Sequence, residues 1–254
     1  MMPVVNIITI TFNSEQYLEQ TILSVVNQDY KNINYIIIDG GSQDSSLNII
    51  NKYSEFINVI VSEPDKGIAD AFNKGLQYCK EGLVGFLNSD DHFSSNSSIS
   101  IIANNYVDER TIVCGSLSLI KQTGEHIKQL QSRPHLLPFG MYILHPTMYT
   151  PVSLSKKIGN FNSDYSIAID YDWTLRAIRE KIKFKIINDE LVFMREGGAS
   201  HNMEKAQHEE KAIRKKHYNS SLLHFFVNIY QKFSSKLLNF KYYLKQKNLR
   251  NEST

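Results

Sequence analysis

The chain has 254 residues, 42% of them hydrophobic, with 28 Lys and Arg against 26 Asp and Glu. That composition excludes a disordered chain and allows one large domain, or one domain with an appendage. Two cysteines, Cys79 and Cys114, make neither a disulfide framework nor a zinc site and fit a reducing compartment.

Met1-Met2-Pro3 runs without a basic leader into an apolar segment, so no export signal is expected. No uninterrupted apolar stretch approaches the ~18 residues of a membrane span. Val4 to Thr11, apolar and β-branched, predicts a first strand. Asn13-Ser14 then offers a helix cap before Tyr17, Leu18, Ile22 and Val25 at helical spacing. Tyr35 to Ile38 predicts a second buried strand, closed by Asp39-Gly40-Gly41-Ser42, with Ser42 or Asp44 capping the next helix. Val59 to Val61, Ile68 to Tyr78 and Leu83 to Leu87 predict strand, helix and strand. Strands alternating with helices at this spacing imply right-handed βαβ units and a largely parallel, Rossmann-like sheet over the first ~90 residues. Further on, the pattern predicts a helix over Ile99 to Tyr106 and a strand over Ile112 to Lys121. Arg133 to Pro151 is expected to be loops and short strands. A helix over Tyr171 to Arg179 and two strands, Phe184 to Ile187 and Leu191 to Met194, precede a break at Gly197-Gly198-Ala199-Ser200.

Asp39, Asp65, Asp90 and Asp91 all fall at or just after predicted strand ends. In an open parallel sheet those ends share one edge, where ligands bind. Asp90 and Asp91 are adjacent, and two carboxylates side by side repel. A divalent cation relieves that cost, and hard oxygen ligands suit magnesium or manganese bridging carboxylates and substrate phosphates. Gly-x-Gly-x-x-Gly and the P-loop are both absent, so a nucleotide here needs another design.

Thr9-Ile10-Thr11-Phe12-Asn13, Asp39-Gly40-Gly41-Ser42-Gln43-Asp44, Glu63-Pro64-Asp65-Lys66-Gly67-Ile68, Asn73-Lys74-Gly75 and Asn88-Ser89-Asp90-Asp91 follow one another in an informative order. In words and spacing they resemble the family 2 glycosyltransferases of GT-A fold, most closely the bacterial branch that builds surface polysaccharides. The likeness continues through His145-Pro146-Thr147, Gly159-Asn160-Phe161-Asn162, Ile169-Asp170-Tyr171-Asp172 and Gly197-Gly198-Ala199-Ser200, covering roughly residues 3 to 200. It implies an α/β GT-A domain, a mostly parallel sheet with helices on both faces, over residues 1–200. The nucleotide-binding half would span about 1–92 and the acceptor half about 93–200.

The resemblance also implies roles. Thr9, Thr11 and Asn13 would wall the base pocket, Asp39 would accept from the base, Asp65 and Lys66 would sit by base and phosphates, and Asp90 by ribose or sugar. Asp91 would hold the divalent ion, manganese or magnesium, as a Lewis acid against the departing diphosphate. The donor is then a nucleoside diphosphate sugar, with UDP expected ahead of GDP or dTDP. Inverting transfer of a hexosyl unit needs a base for the acceptor hydroxyl, and Asp170 matches that position, with Asp172 in reserve. Ile169 stands where many members carry Glu. A helix N-terminus would favour ionised Asp170, available near neutral pH but weakly basic. His145 and Trp173 are candidates to meet phosphate or acceptor, and His201 is a candidate further metal ligand.

From His201 onward the chain carries 11 Lys and Arg against 4 Asp and Glu, while the remainder carries 17 against 22. In this tail Leu222, Phe226, Ile229, Phe233, Leu237, Phe240 and Leu244 recur at helical spacing, flanked by Lys232 and Lys241. Residues 201–254 therefore predict a basic amphipathic helical tail that docks on an anionic membrane surface, or else packs on the catalytic domain or a second copy. The expected setting is cytoplasmic, at the inner face of the membrane, with a lipid-linked glycan as acceptor and no nucleic-acid partner. Two rivals remain at this point. A nucleotidyltransferase would show a Gly-rich loop near the first strand, and Thr9 to Ser14 has no glycine. A non-catalytic nucleic-acid or membrane binder would use the basic tail, whose apolar stripe favours membrane or protein packing over phosphate tracking alone.

Overall fold

The computed structural model describes residues 2–198, 202–218, 220 and 227. The chain forms two compact units, Met1–Glu210 and Lys211–Thr254. His201 and nearly all of the predicted tail helix from Leu222 lie outside the described residues. Among the described residues no helix is long and apolar enough to cross a membrane.

The first unit is built on a nine-stranded sheet. β1 (Val5–Thr11), β2 (Ile33–Asp39), β3 (Val59–Ser62) and β4 (Leu83–Phe86) are its parallel half, in the order β3-β2-β1-β4. Register follows from burial on both faces. Ile7 and Ile37 point to a core shared with Leu18, Ile22 and Val25 of α1 (Leu18–Val26) and Ile50 of α2 (Ser46–Lys52). Ile8 points to the opposite face, under α3 (Ile68–Leu76), where Gly75 lets the helix close in; a Cβ there would stand 2.6 Å from Ile8 Cγ2. A one-residue slip would turn both sets of side chains out of their cores. The pairing Thr11↔Asp39 and Asp39↔Ser62 aligns the carboxyl ends of β1, β2 and β3 on one edge.

The second half departs from a parallel sheet. β5 (His92–Phe93), α4 (Ser98–Asn104), β6 (Thr111–Ile120), β7 (His126–Gln131), β8 (Met148–Pro151), α5 (Val152–Ile158), α6 (Ile169–Arg179) and β9 (Lys183–Arg195) follow in order. β8 pairs antiparallel with β4 and β6, β5 antiparallel with β9, and β6 parallel with β9. β6 and β7 are joined by a tight turn with Gly124 at φ 87°, which only an antiparallel pair permits. The two strands expected over 184–194 are one. Its polar Asn188-Asp189 is an irregularity where the register jumps from Cys114↔Ile186 to Ser116↔Glu190, and the Ser116 hydroxyl shares its one proton between the two freed carbonyls, at 3.1 and 2.9 Å. α5 occupies sequence adjoining the stretch expected to be loop, and α7 (Met203–His217) follows β9.

Gly82 ties the halves of the sheet together. Its φ is +125°, and a Cβ there would lie 2.1 Å from the Val4 carbonyl oxygen, while its own carbonyl accepts the Val152 N–H at 2.8 Å. Gly82→Ala is expected to cost more than the ~1–3 kcal/mol of backbone strain alone, read as a lowered urea midpoint with an unchanged m-value.

Candidate active site

The parallel edge gathers three loops. After β1, Asn13 adopts φ 49°, its N–H donating to Ser42 Oγ at 2.8 Å and its side-chain oxygen accepting Gln43 N–H at 2.8 Å. Asp39 is fully buried and committed locally: it accepts from the Ser42 N–H and hydroxyl and from the Ser62 hydroxyl at 2.6 Å. Asp65 stands over Gly40, where a Cβ would be 2.4 Å from its Oδ2, and accepts the Gly67 N–H at 2.8 Å. Thr11, opposite Asp39, is buried with its hydroxyl unpartnered. Thr9 is two residues deeper, its hydroxyl 3.3 Å from Tyr35 Oη, in the core rather than at the edge. Lys66 is exposed. Phe12, inside the Thr9 to Asn13 segment expected to wall the base pocket though not singled out there, is 60% exposed, and a Cβ on Gly40 would meet its ring at 3.4 Å. Its signal was an aromatic residue one step past the strand end.

Beyond β4 the acid loop is fastened from two sides. Thr21 of α1 places its hydroxyl 2.9 and 2.7 Å from the Ser89 and Asp91 carbonyls, and Ser89 donates to Ser14 at 2.8 Å. Arg195, at the end of β9, gives its N–H to Asp91 Oδ1 at 3.1 Å, Nη1 to the Asp90 carbonyl at 2.7 Å and Nη2 to Gln20 at 2.6 Å, with its guanidinium over the Tyr17 ring. Nothing in the sequence around Arg195 announces a partner a hundred residues away. Asp91 is 2% exposed, and burial, reinforced by the charge of Asp90, pushes its carboxyl well above the usual range. Burial also raises Asp90, whose Oδ2 lies 3.3 Å from where a Cβ on Gly198 would be. Of the two, Asp90 is the more open.

This pair fits a hard divalent cation: two carboxylates sit together in a poorly solvated place, both raised in pKa chiefly by burial, against which the nearby Arg195 charge works. Among the described residues no three His, Cys, Asp or Glu side chains gather into a closed cage.

The expected acceptor half is held by an aromatic cluster. Phe161 packs edge-on to Phe72 of α3 and Phe86 of β4, at 5.2 and 5.4 Å between ring centroids, and stacks on Trp173 of α6 at 5.6 Å. Trp173 is 2% exposed and donates to the Gly159 carbonyl, a core placement that leaves no face for a sugar. His145 packs against both Phe72 and Phe86, which touch each other, its Nε2 buried and unpartnered, and burial lowers its pKa to about 4. It is neutral at pH 7 and brings no charge to a phosphate. Asp172 is 1% exposed and paired with Arg176 at 2.9 Å, whose guanidinium also donates to the Ile158 and Asn160 carbonyls. Asp170, at the start of α6, is different. Burial raises its carboxyl to about 7, the Tyr171 N–H at 2.8 Å opposes that, and the charge of Glu210 adds to it. The helix N-terminus was expected to favour the ionised form; desolvation outweighs it.

The sequence model of glycosyl transferase family 2 matches residues 6–182. The chain belongs to that family. It is a glycosyltransferase. An uncharacterised glycosyltransferase of Mycobacterium tuberculosis is 31% identical over 185 residues, 69% of either chain. Among solved structures, S. aureus TarS 1-349 in complex with UDP-GlcNAc superposes with a TM-score of 0.68 at 18% identity, covering 88% of this chain and 69% of that one. The mannosyltransferase PcManGT of Pyrobaculum calidifontis, in complex with GDP-Man and Mn2+, gives 0.60 at 17% identity, with 90% and 65% covered. These likenesses show the GT-A fold expected from the sequence.

Proposed function

We propose that this glycosyltransferase moves one sugar, with inversion, from a nucleoside diphosphate sugar to a hydroxyl of a growing, lipid-linked glycan. The observation that carries the reading is the adjacent Asp90–Asp91 pair, Asp91 buried and Asp90 half-buried, beyond the end of β4 on the edge shared with Thr11, Asp39 and Asp65. The base lies on exposed Phe12, an aromatic face suited to stacking, beside Asp65. Asp90, with the more open carboxylate, and Asp91 would hold the cation, which would supply Lewis-acid stabilisation of charge on the diphosphate. Asp170 accepts the acceptor's proton as that oxygen's lone pair forms the new bond to the anomeric carbon. The bond from that carbon to phosphate oxygen breaks, its pair staying with the diphosphate. UDP is the nucleotide named in the TarS complex, and manganese the ion in PcManGT. The excess of Lys and Arg beyond His201 supports docking of residues 201–254 on the anionic inner face of the membrane.

Melting the protein with UDP, GDP, dTDP and CDP, each with manganese or with EDTA, tests the donor site. A ligand of the folded state raises apparent stability by mass action. The expected result is a rise with UDP and manganese that EDTA removes. A rise with no nucleotide under either condition defeats the donor assignment.

A further inference from the structure

The transfer reading leaves one cavity of the sheet's second half without a ligand. Register sets out two rows of side chains there. His92, Phe193 and Ser118 lie opposite one another on β5, β9 and β6, and Arg195, Ile120 and His126 on β9, β6 and β7. Cross-strand partners share a face. The row beside them, Phe93, Val192 and Leu117, turns the other way into the core. With Gln20 from α1, the residues His92, His126, Glu190, Phe193 and Arg195 line a cavity of about 470 Å³, within the ~300–1,000 Å³ of small-molecule sites.

The polar groups of this cavity leave two places to fill. Ser118, fully buried, donates its one proton to Glu190 Oε2, so His126 Nε2, 2.8 Å from the same hydroxyl, must donate to it. One buried oxygen thus holds both a carboxylate and an imidazole, and among the described residues Glu190 Oε1 carries no hydrogen bond. At the other wall Gln20 gives its oxygen to Arg195 Nη2 at 2.6 Å, and its amide N–H faces His92 Nε2 at 3.2 Å. A neutral imidazole cannot accept at both nitrogens. The shorter contact takes Nε2, which leaves the His92 proton on Nδ1, 3.5 Å from Arg195 Nη1. Two donors meet there. The His92 end therefore lacks an acceptor, and the Glu190 end lacks a donor. A hydroxyl is both. Arg195 and Glu190 are opposite in charge, so the cavity calls for neither an anion nor a cation. Phe193 adds an aromatic wall against which the C–H side of a pyranose can lie.

We propose that this cavity binds one uncharged sugar unit of the glycan, whose hydroxyls donate to Glu190 and accept from His92 while its ring rests against Phe193. The inference rests on a glycan being the substrate, as read above, and not on which acid is the base. Arg195 also holds the Asp90 carbonyl, which makes one wall of the cavity continuous with the acid loop.

NMR titration with simple sugars tests this. The full chain is labelled with 13C in its histidine rings, and the His92 and His126 signals are assigned by their loss in His92→Gln and His126→Gln. Glucose, galactose, mannose and N-acetylglucosamine are added in turn at one fixed pH, with inorganic phosphate as a separate arm. Both ring signals are expected to move with at least one sugar and to saturate in the millimolar range. Glu190→Gln, which exchanges a charged acceptor for a neutral one, is expected to weaken that binding about three- to tenfold. Phe193→Leu is expected to weaken it about two- to tenfold, and it decides the matter if the Glu190 variant does not fold. Rings that no sugar moves overturn the proposal. So does a response that phosphate alone reproduces, or one that both variants leave unchanged. If sugars move the rings while UDP and manganese fail to raise the melting temperature, the cavity stands and the donor assignment falls. Silent rings in a protein that UDP and manganese do stabilise overturn the cavity alone.

Discussion

Asp170→Asn is expected to abolish sugar transfer while leaving donor binding intact. The amide has nearly the shape of the carboxyl but cannot take the acceptor's proton. Loss of a positioned base costs about 10²- to 10⁴-fold in rate. In the wild type the carboxyl titrates at about 7 because of burial. The turnover rate should thus rise with pH through about 7, as the basic form appears, and level off above it. Asp172→Asn gives a different signature. It takes the buried carboxylate from a pair whose Arg176 is a quarter exposed and keeps the Ile158 and Asn160 carbonyls, so the cost is expected to fall below the ~3–5 kcal/mol of a fully buried pair. Its defect is expected in the melting curve before it is seen in chemistry. A wild-type rate in Asp170→Asn, measured in single turnovers with saturating donor, would remove Asp170 from the mechanism. Stability supplies an independent check. An unfolded Asp titrates near 3.9, so the folded state binds the extra proton between about pH 4 and 7. The favourable contribution of protonated Asp170, complete below pH 4, is lost as pH rises through about 7. Asp170→Asn should therefore melt above the wild type at pH 8, with the advantage shrinking toward pH 4. A site that resists ionisation for the sake of basicity is less stable for it.

The parallel half was legible because its strands, buried on both faces, read as β-branched runs closed by acids and glycines at one end. That pattern put Asp39, Asp65, Asp90 and Asp91 near one edge before any contact was known. Which oxygens face outward was not legible. Asp39 is spent on Ser42 and Ser62, and Thr9 on Tyr35. Arg195 reaches Asp91 from the end of β9, and Asp90 is left the more open of the two acids. Periodicity carries no information about such a partner, nor about Glu209 reaching Ala168. The strand β9 was split in reading for a related reason. Asn188-Asp189 looks like a turn in isolation, and only Ser116 across the ladder makes it tolerable inside a strand. His145 and Trp173 were read as able to meet ligand because their chemistry permits it. Their burial among Phe72, Phe86 and Phe161 comes from chain crossings that sequence spacing does not encode.

Asp90→Asn is expected to erase the metal-dependent part of donor binding. The wild-type melting rise with UDP and manganese corresponds to about 2.7 kcal/mol at a hundredfold excess over the dissociation constant, and the variant should show only the small part that survives EDTA. Asp91→Asn should share that loss through a different balance. Its carboxyl is raised well above the ordinary range by burial and by the neighbouring Asp90, so ionising it in the folded state without a cation is unfavourable. An amide there keeps an oxygen for the Arg195 N–H and removes the repulsion. Without metal the Asp91→Asn protein should therefore melt higher than the wild type at pH 8, while its response to manganese and UDP disappears. The two effects have opposite signs and come from one cause: the pair is unfavourable as two bare charges, and the cation is what makes both charges favourable at once. If Asp91→Asn instead melted lower than the wild type without metal and still responded fully to manganese and UDP, the pair would be a structural feature of the β4–β5 loop, and the cation would have to be held elsewhere.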